Sequence, residues 1–216
     1  MKECFLTPRP ETWIKPGSLS RLDWGNLPVL SPFILADGSQ EASQQTTVRL
    51  CGTAQHFCVH FDCQDRYIWG NYTRRDDPIF NEEAIEIFIA PTSANPIDYY
   101  EFEVSPMGVL FDARIHNPDG KNNPQMIGDA AWDCPGIQWE AGRDDLDQHW
   151  WATLLIPWRS LTTAPELPEV WRVNFYRIER PKDEAAEFSC WSPVMTTVAD
   201  FHRPAQFGVL FLNQSD

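Results

Sequence analysis

The 216-residue chain contains no long hydrophobic run, and no stretch approaches the roughly eighteen apolar residues that a membrane span needs. Met1 to Cys4 lead into proline and polar residues, not into the apolar region of a secretion signal. We therefore expect a soluble, cytoplasmic protein with no membrane partner. An exported protein is expected instead if a leader has been removed.

Positive charge is also scarce. The chain has 17 Lys and Arg against 31 Asp and Glu, a formal net charge of −14. An acidic field of this size repels phosphate backbones and anionic lipids, so nucleic acid is a poor partner. The composition leaves the oligomeric state open.

Cysteine is present six times, but no two cysteines have the CxxC spacing of a zinc ribbon or a redox motif. A chain of this length buries enough surface to fold without disulfide bonds or a structural metal. Cys58 and Cys63 lie in an apolar run, where cysteine often serves as a small hydrophobic residue. We expect most or all of the thiols to be reduced; three disulfides would instead indicate an exported protein.

Glycine is less frequent than proline, 11 residues against 18, and the spaced prolines leave almost no window for a long helix. Apolar residues instead alternate with polar ones at period two, which indicates half-buried strands. The pattern predicts an all-β, antiparallel β-sandwich formed as one domain over residues 1–216. The predicted strands are Thr47–Leu50, His56–Asp62, Ala84–Ala90, Tyr99–Val104, Val109–Ile115, Trp150–Ile156, Trp171–Ile178 and Phe207–Leu212.

The same alternation predicts the core. Trp158, Trp171 and Trp191 are expected in it, Trp132 in surface packing, and a short helical turn after Pro157. The expected inner residues of the strands are Phe57, Val59, Phe61, Ile85, Ile87, Ile89, Phe102, Val104, Leu154, Ile156, Val173, Phe175 and Leu210.

An ordered set of segments resembles the carbohydrate-binding module family 9-like domains from about Val48 to the C terminus, and Trp24–Ile34 suits the opening strand of that family. The segments are 65–89 (DRYIWGNYTRRDDPIFNEEAIEIFI), 99–113 (YYEFEVSPMGVLFDA), 152–161 (ATLLIPWRSL), 171–179 (WRVNFYRIE), 190–193 (CWSP) and 201–208 (FHRPAQFG). The resemblance implies an immunoglobulin-like sandwich that binds a saccharide or glycan end without cleaving it.

The resemblance also implies a site. The two aromatic positions that clamp a sugar in the family fall on Phe80 and Phe201, and Glu86 keeps the acid of the family's ExF motif. The family's arginine on the next strand falls on Glu103, and its glutamine falls on Tyr176. We therefore predict Phe80 and Phe201 as stacking faces, with Glu86, Glu103 and Tyr176 as polar groups that contact hydroxyls.

Two further residues complete the predicted site. His202 borders the second clamp position and could bond a sugar hydroxyl, and Trp69 heads into a loop beside the first. A sugar presents a flat C–H face and a rim of hydroxyls, which suits this mixture of rings and polar groups.

The acids allow two other interpretations. Asp76, Asp77, Glu82 and Glu83 form an oxygen-rich loop that is a weak calcium candidate, although adjacent acids are more often a solvated face. Glu86 and Glu103 could reach the carboxyl separation of a glycosidase, but no pattern assigns an acid and a base. We expect neither enzyme activity nor an essential cofactor.

Two alternatives remain open. The haem-carrying cytochrome domain of cellobiose dehydrogenase has a related sandwich, and this chain offers Met107, Met126 and Met195 beside His116 and His202 as iron ligands. The other alternative is an interaction domain whose sugar site has decayed.

Overall fold

The computed structural model describes residues 1–15 and 17–212. Over these residues the protein is all-β, and fourteen strands join into one curled, mixed sheet. Among the described residues, no helix has the length and apolar character that crossing a membrane requires. The strands are β1 (Glu3–Pro8), β2 (Val29–Leu30), β3 (Ile34–Leu35), β4 (Thr46–Gly52), β5 (His56–Gln64), β6 (Ala84–Ala90), β7 (Asp98–Val104), β8 (Leu110–His116), β9 (Ile127–Asp129), β10 (Gln138–Asp144), β11 (His149–Pro157), β12 (Val170–Glu179), β13 (Glu187–Cys190) and β14 (Gly208–Leu212).

In the part of the chain that the structure describes, helical structure is limited to single turns. A four-residue helix, α1 (Trp158–Leu161), follows Pro157, as predicted. The 3-10 helices are Glu11–Trp13, Leu19–Arg21, Ile79–Asn81 and Pro204–Gln206.

The sheet folds into two halves that face each other. One half has the order β10-β11-β5-β4, and the other has the order β14-β12-β6-β7-β8-β9. The apolar sides of both halves form one buried core, in which the Phe61 ring of β5 meets the Phe175 ring of β12 edge-on at 6.0 Å. All thirteen predicted inner residues belong to this core. The arrangement is therefore sandwich-like, and the finer immunoglobulin-like classification stays a prediction.

The prediction of a purely antiparallel sheet is wrong at the seam between the halves. β1 runs parallel to β14 on one side and parallel to β4 on the other. Side chains alternate at period two in parallel and antiparallel strands alike, so alternation cannot reveal strand direction. β1 and β14 also lie far apart along the chain. No hairpin turn joins them, so no local pattern in the sequence indicates that they pair.

The predicted strands are all present within a few residues, but the sequence analysis missed β1, β9, β10 and β13. In β1 buried and exposed residues alternate, but Cys4, Phe5 and Leu6 are consecutive apolar residues, so the sequence does not show the alternation. β9 is exposed throughout, and β10 at the sheet edge is partly or fully exposed along its length. β13 is four residues long. The predicted opening strand Trp24–Ile34 contains only β2 and the start of β3, of two residues each.

The tryptophan predictions hold in three cases and fail in one. Trp158, Trp171 and Trp191 are buried in the core, as predicted. Trp132 is also buried there, packed 5.0 Å from the Tyr100 ring, so its assignment to surface packing is wrong. Its turn lies in an irregular segment that has no periodicity to signal burial.

The second half of the sheet is buried on both faces at its centre. Every residue of β6 is buried, because the segment that carries Phe201 and Phe207 packs across the outer face. There Phe88 contacts Phe207 at 6.0 Å between ring centroids. The segment with Phe201 and Phe207 does not cover the whole outer face of the sheet. The uncovered part forms a cavity.

Candidate functional site

A cavity of about 430 Å³ opens on the outer face of β6, β7 and β8. Another hollow, of about 490 Å³ beside Tyr100 and Arg114, contains none of the predicted site residues. The first cavity brings together five of the seven predicted site residues: Phe80, Glu86, Glu103, Phe201 and His202.

The two predicted stacking rings reach this cavity from different elements. Phe80 lies on the 3-10 helix Ile79–Asn81, is 39% exposed and meets the Phe111 ring edge-on at 5.6 Å. Phe201 lies on the covering segment, is 7% exposed and stacks on the Tyr176 ring at 4.4 Å. Phe80 is therefore partly exposed at the surface, whereas Phe201 is buried and stacked on Tyr176.

Three buried carboxyl groups line the same cavity. Glu86 of β6 pairs directly with Glu103 of β7, and Glu101 lies two residues before Glu103 on the same face. One carboxylate oxygen from each of the three lies within 4.8 Å of the others. Glu101 is absent from the sequence-based site, although its position two residues before Glu103 signals the shared face.

This acidic group strongly disfavours ionisation. Burial is the main cause that raises the pKa of each carboxyl. Repulsion from Glu101 adds to the rise for Glu86, and repulsion from both neighbours adds to it for Glu103. For Glu101 the nearby His202 opposes the rise.

His202 lies on the covering segment and lines the cavity, whereas Tyr176 lies on β12 and does not line it. Its Nδ1 atom lies 2.8 Å from the Tyr99 hydroxyl. Tyr176 is fully buried, and its hydroxyl donates to the Phe201 carbonyl oxygen at 3.2 Å. Tyr176 thus lies behind Phe201 and holds it, away from the position of a group that contacts hydroxyls.

Trp69 also lies away from the cavity wall. Its indole Nε1 donates to the Arg180 carbonyl oxygen at 2.9 Å, and its backbone N–H faces the Glu83 carboxylate at 3.5 Å. Trp69 therefore packs beside the end of β12. This placement does not support its predicted contact with a ligand.

The acids of the predicted calcium loop are divided among different surroundings. Asp77 accepts from the Arg74 backbone N–H at 2.9 Å, and Glu82 accepts from that of Asn71 at 2.7 Å. Asp76 and Glu83 belong to separate carboxylate groups, described next. Within the described residues these acids form no common cluster, because consecutive residues of the loop point in different directions.

The two other carboxylate groups each surround an arginine. Asp65, Glu83 and Glu179 lie around the fully buried Arg177, whose guanidinium bonds Asp65 at 2.8 Å and also bonds Glu179. Asp76, Asp112 and Asp133 lie around Arg75, which bonds Asp112 at 2.7 Å and Asp133 at 2.9 Å. In both groups the protein supplies its own cation.

The residues proposed for haem ligation are scattered. Met195 is 63% exposed, the Met107 sulfur contacts Arg143, and His116 pairs with Asp98. Met126 and His202 line the cavity, where His202 already bonds Tyr99.

The fold and the cavity together define a β-sheet ligand-binding module. The chain belongs to carbohydrate-binding family 9, whose model matches residues 40–212. Members of this family are noncatalytic carbohydrate-binding modules.

Solved structures agree on the fold. A family 9 module from Caldicellulosiruptor kristjanssonii in complex with glucose is 12% identical, with a TM-score of 0.66 over 100% of this chain and 97% of that one. The complex with cellotriose is 13% identical, with a TM-score of 0.69 over 100% and 95%. A protein from Bacteroides uniformis, provisionally assigned as carbohydrate-binding, is 15% identical, with a TM-score of 0.77 over 98% and 99%.

A curated relative matches part of the chain. It is described as an extracellular protein of Arthroderma benhamiae and is 28% identical over 150 residues, which cover 67% of this chain and 68% of the relative. The comparisons favour carbohydrate binding over the haem and interaction-domain alternatives.

Proposed function

We propose that the protein is a noncatalytic module that binds a saccharide in the cavity between Phe80 and Phe201. The observation that carries the proposal is that residues 80, 86, 103, 201 and 202, distant in sequence, line one cavity in a chain of this family. Its volume of about 430 Å³ lies within the usual range of small-ligand sites.

The chemistry of the walls suits a sugar. The Phe80, Phe111 and Phe201 rings offer apolar faces to the C–H side of a pyranose ring. The buried carboxyls and His202 line the same cavity and carry the polar atoms that could hydrogen-bond to sugar hydroxyls. These groups can contact a sugar directly, so the proposed binding needs no cofactor.

The carboxyl geometry supports binding without cleavage. Glycosidases place their two carboxyls about 5 to 10 Å apart on opposite sides of the scissile bond. Glu86 and Glu103 are direct cross-strand neighbours, and both line the cavity from one face of one sheet. They therefore do not flank the cavity from opposite sides.

Isothermal titration against glucose, cellobiose and cellotriose tests the proposal. Stacking on an aromatic ring contributes about 1 to 3 kcal/mol by analogy with bases, so Phe80→Ala should weaken binding about 5- to 150-fold. The matched control is Phe5→Ala, since Phe5 is 57% exposed on β1 and lies outside the cavity lining. Equal affinities for the wild type and Phe80→Ala would contradict the proposed stacking role.

A further inference from the structure

The acidic group in the cavity differs from the other two because the protein supplies no arginine to it. Outside the three acids, neither carboxylate oxygen of Glu103 has a hydrogen-bond partner, although the residue is completely buried and lines the cavity. No Lys or Arg lies among the described residues that line this cavity. An unpaired buried acid is costly, so the site is set up for a cation from outside.

The three acids lie close enough together to share one ammonium group. The oxygens of Glu86, Glu101 and Glu103 lie within 4.8 Å of one another. An ammonium has several N–H donors, so it can contact more than one of these carboxylates at once.

The remaining walls indicate that the cation is part of an organic molecule. The cavity is much larger than a single ion, and Phe80, Phe111, Phe188 and Phe201 form apolar walls around the acids. A hydrated metal ion gains little from such walls, whereas a sugar ring stacks on them and a cation is attracted to their faces.

We infer that the cavity binds a saccharide with a free, charged amine, whose ammonium lies among Glu86, Glu101 and Glu103. This inference rests on the proposed saccharide site and narrows its ligand class to amino sugars. Glucosamine and its β-1,4-linked dimer are the simplest probes of that class.

Proton release provides an independent readout. Burial and mutual repulsion favour the protonated forms of Glu86 and Glu103 in the free protein by raising their pKa values, and a bound ammonium favours loss of the protons. Asp200 and His202 also line the cavity, Tyr176 faces it from β12 behind Phe201, and Tyr99 contacts His202. The binding enthalpy should therefore vary with the ionisation enthalpy of the buffer for the amino sugar but not for its neutral counterpart.

The test compares three dimers by titration calorimetry near pH 6.5: the glucosamine dimer, its N-acetylated form and cellobiose. Hydrogen bonds to a charged group are worth about 1.5 to 3 kcal/mol, so the free amine should bind about 10- to 150-fold more tightly than cellobiose. Glu103→Gln should remove this preference, because it should weaken binding of the glucosamine dimer more than binding of cellobiose.

Glu83→Gln is the matched control, because Glu83 is equally buried but belongs to the group around Arg177. It should retain the preference for the amine. Glu86→Gln repeats the test if Glu103→Gln does not fold.

The outcomes separate the two proposals. Binding of cellobiose with no preference for the amine overturns this inference and leaves the saccharide site intact. Tight binding of calcium, lost in Glu103→Gln, with no amine preference also overturns it in favour of a metal site. Failure of every sugar to bind overturns both proposals.

Discussion

At the scale of single residues, the two rings of the proposed clamp differ in how much they contribute to the packing of the fold. Phe80 is partly exposed and contributes little to the fold, whereas Phe201 is nearly buried against Tyr176 and Phe188. A substitution at Phe80 therefore reports on binding, and one at Phe201 reports on binding and packing together.

Phe80→Trp should strengthen saccharide binding, because the larger indole covers more C–H surface and the exposed position has room for it. We expect a several-fold lower dissociation constant for cellobiose and an unchanged melting temperature. An unchanged or higher constant with an intact fold would show that residue 80 does not stack on the ligand.

Phe201→Ala should lose both binding and stability. Removing a buried Phe costs about 3 to 5 kcal/mol in unfolding free energy, and here it also leaves the Tyr176 ring uncovered. Urea denaturation measures the loss, and Phe80→Ala provides the comparison. A loss below about 1 kcal/mol would contradict the role given to this ring in the cover of β6.

Glu103→Arg should place an arginine among the acids of the cavity, as Arg177 and Arg75 lie among the acids of the other two groups. The new guanidinium would lie beside Glu86 and Glu101, which would become its partners as Asp65 and Glu179 are partners of Arg177. We expect the variant to prefer neutral sugars over the glucosamine dimer. Retention of tight amino-sugar binding in the calorimeter would show that the amine lies elsewhere.

At the scale of elements, β5 carries a half-buried titratable side chain, His60. His60 stacks on Trp24 at 5.1 Å between ring centroids, and its Nδ1 lies 2.8 Å from the Thr153 hydroxyl of β11. Burial is the main cause that lowers the pKa of His60 to about 4. β5 therefore depends on this ring remaining neutral.

His60→Gln should make the protein less sensitive to acid. The unfolded histidine takes up a proton near pH 6.5 and the folded one only near 4, so the stability linked to neutral His60 is present above pH 6.5 and is lost as the pH falls towards 4. The loss amounts to at most about 3 kcal/mol. Urea unfolding at pH 7 and pH 4.5 should show a smaller drop for the variant, and equal drops would contradict the lowered pKa.

At the scale of the whole molecule, all six cysteines are free and buried, and they are distributed over both halves of the sheet. Burial raises the pKa of Cys4, Cys134 and Cys190 to about 12, so their reactive thiolates are scarce at neutral pH. Cys51 and Cys58 are direct cross-strand neighbours on β4 and β5.

Native protein should therefore resist iodoacetamide, and guanidinium without a reductant should release six reactive thiols. Mass spectrometry counts the modified cysteines. Four thiols after denaturation would instead point to a disulfide between Cys51 and Cys58, since these two face each other. That result would contradict the expectation that the chain is fully reduced.

The strands and their inner faces could be predicted from the sequence because side-chain alternation is a local property. Phe57, Ile87 and Phe175 are each marked as inner residues by their immediate neighbours, and each is buried. Phe80, Phe201, Glu86 and Glu103 were found through the ordered family motifs, not through periodicity.

Other features depend on contacts that no local pattern contains. The parallel pairing of β1 joins the two ends of the described chain, and the burial of Trp132 arises from a loop that packs on Tyr100. The three cavity acids become a group only because the β6–β7 register places Glu86 beside Glu103. The sequence by itself thus determined most of the strands, most of the core and the family, whereas strand direction, register and the grouping of the three cavity acids without an arginine were decided by tertiary packing, because each depends on residues that only folding brings together.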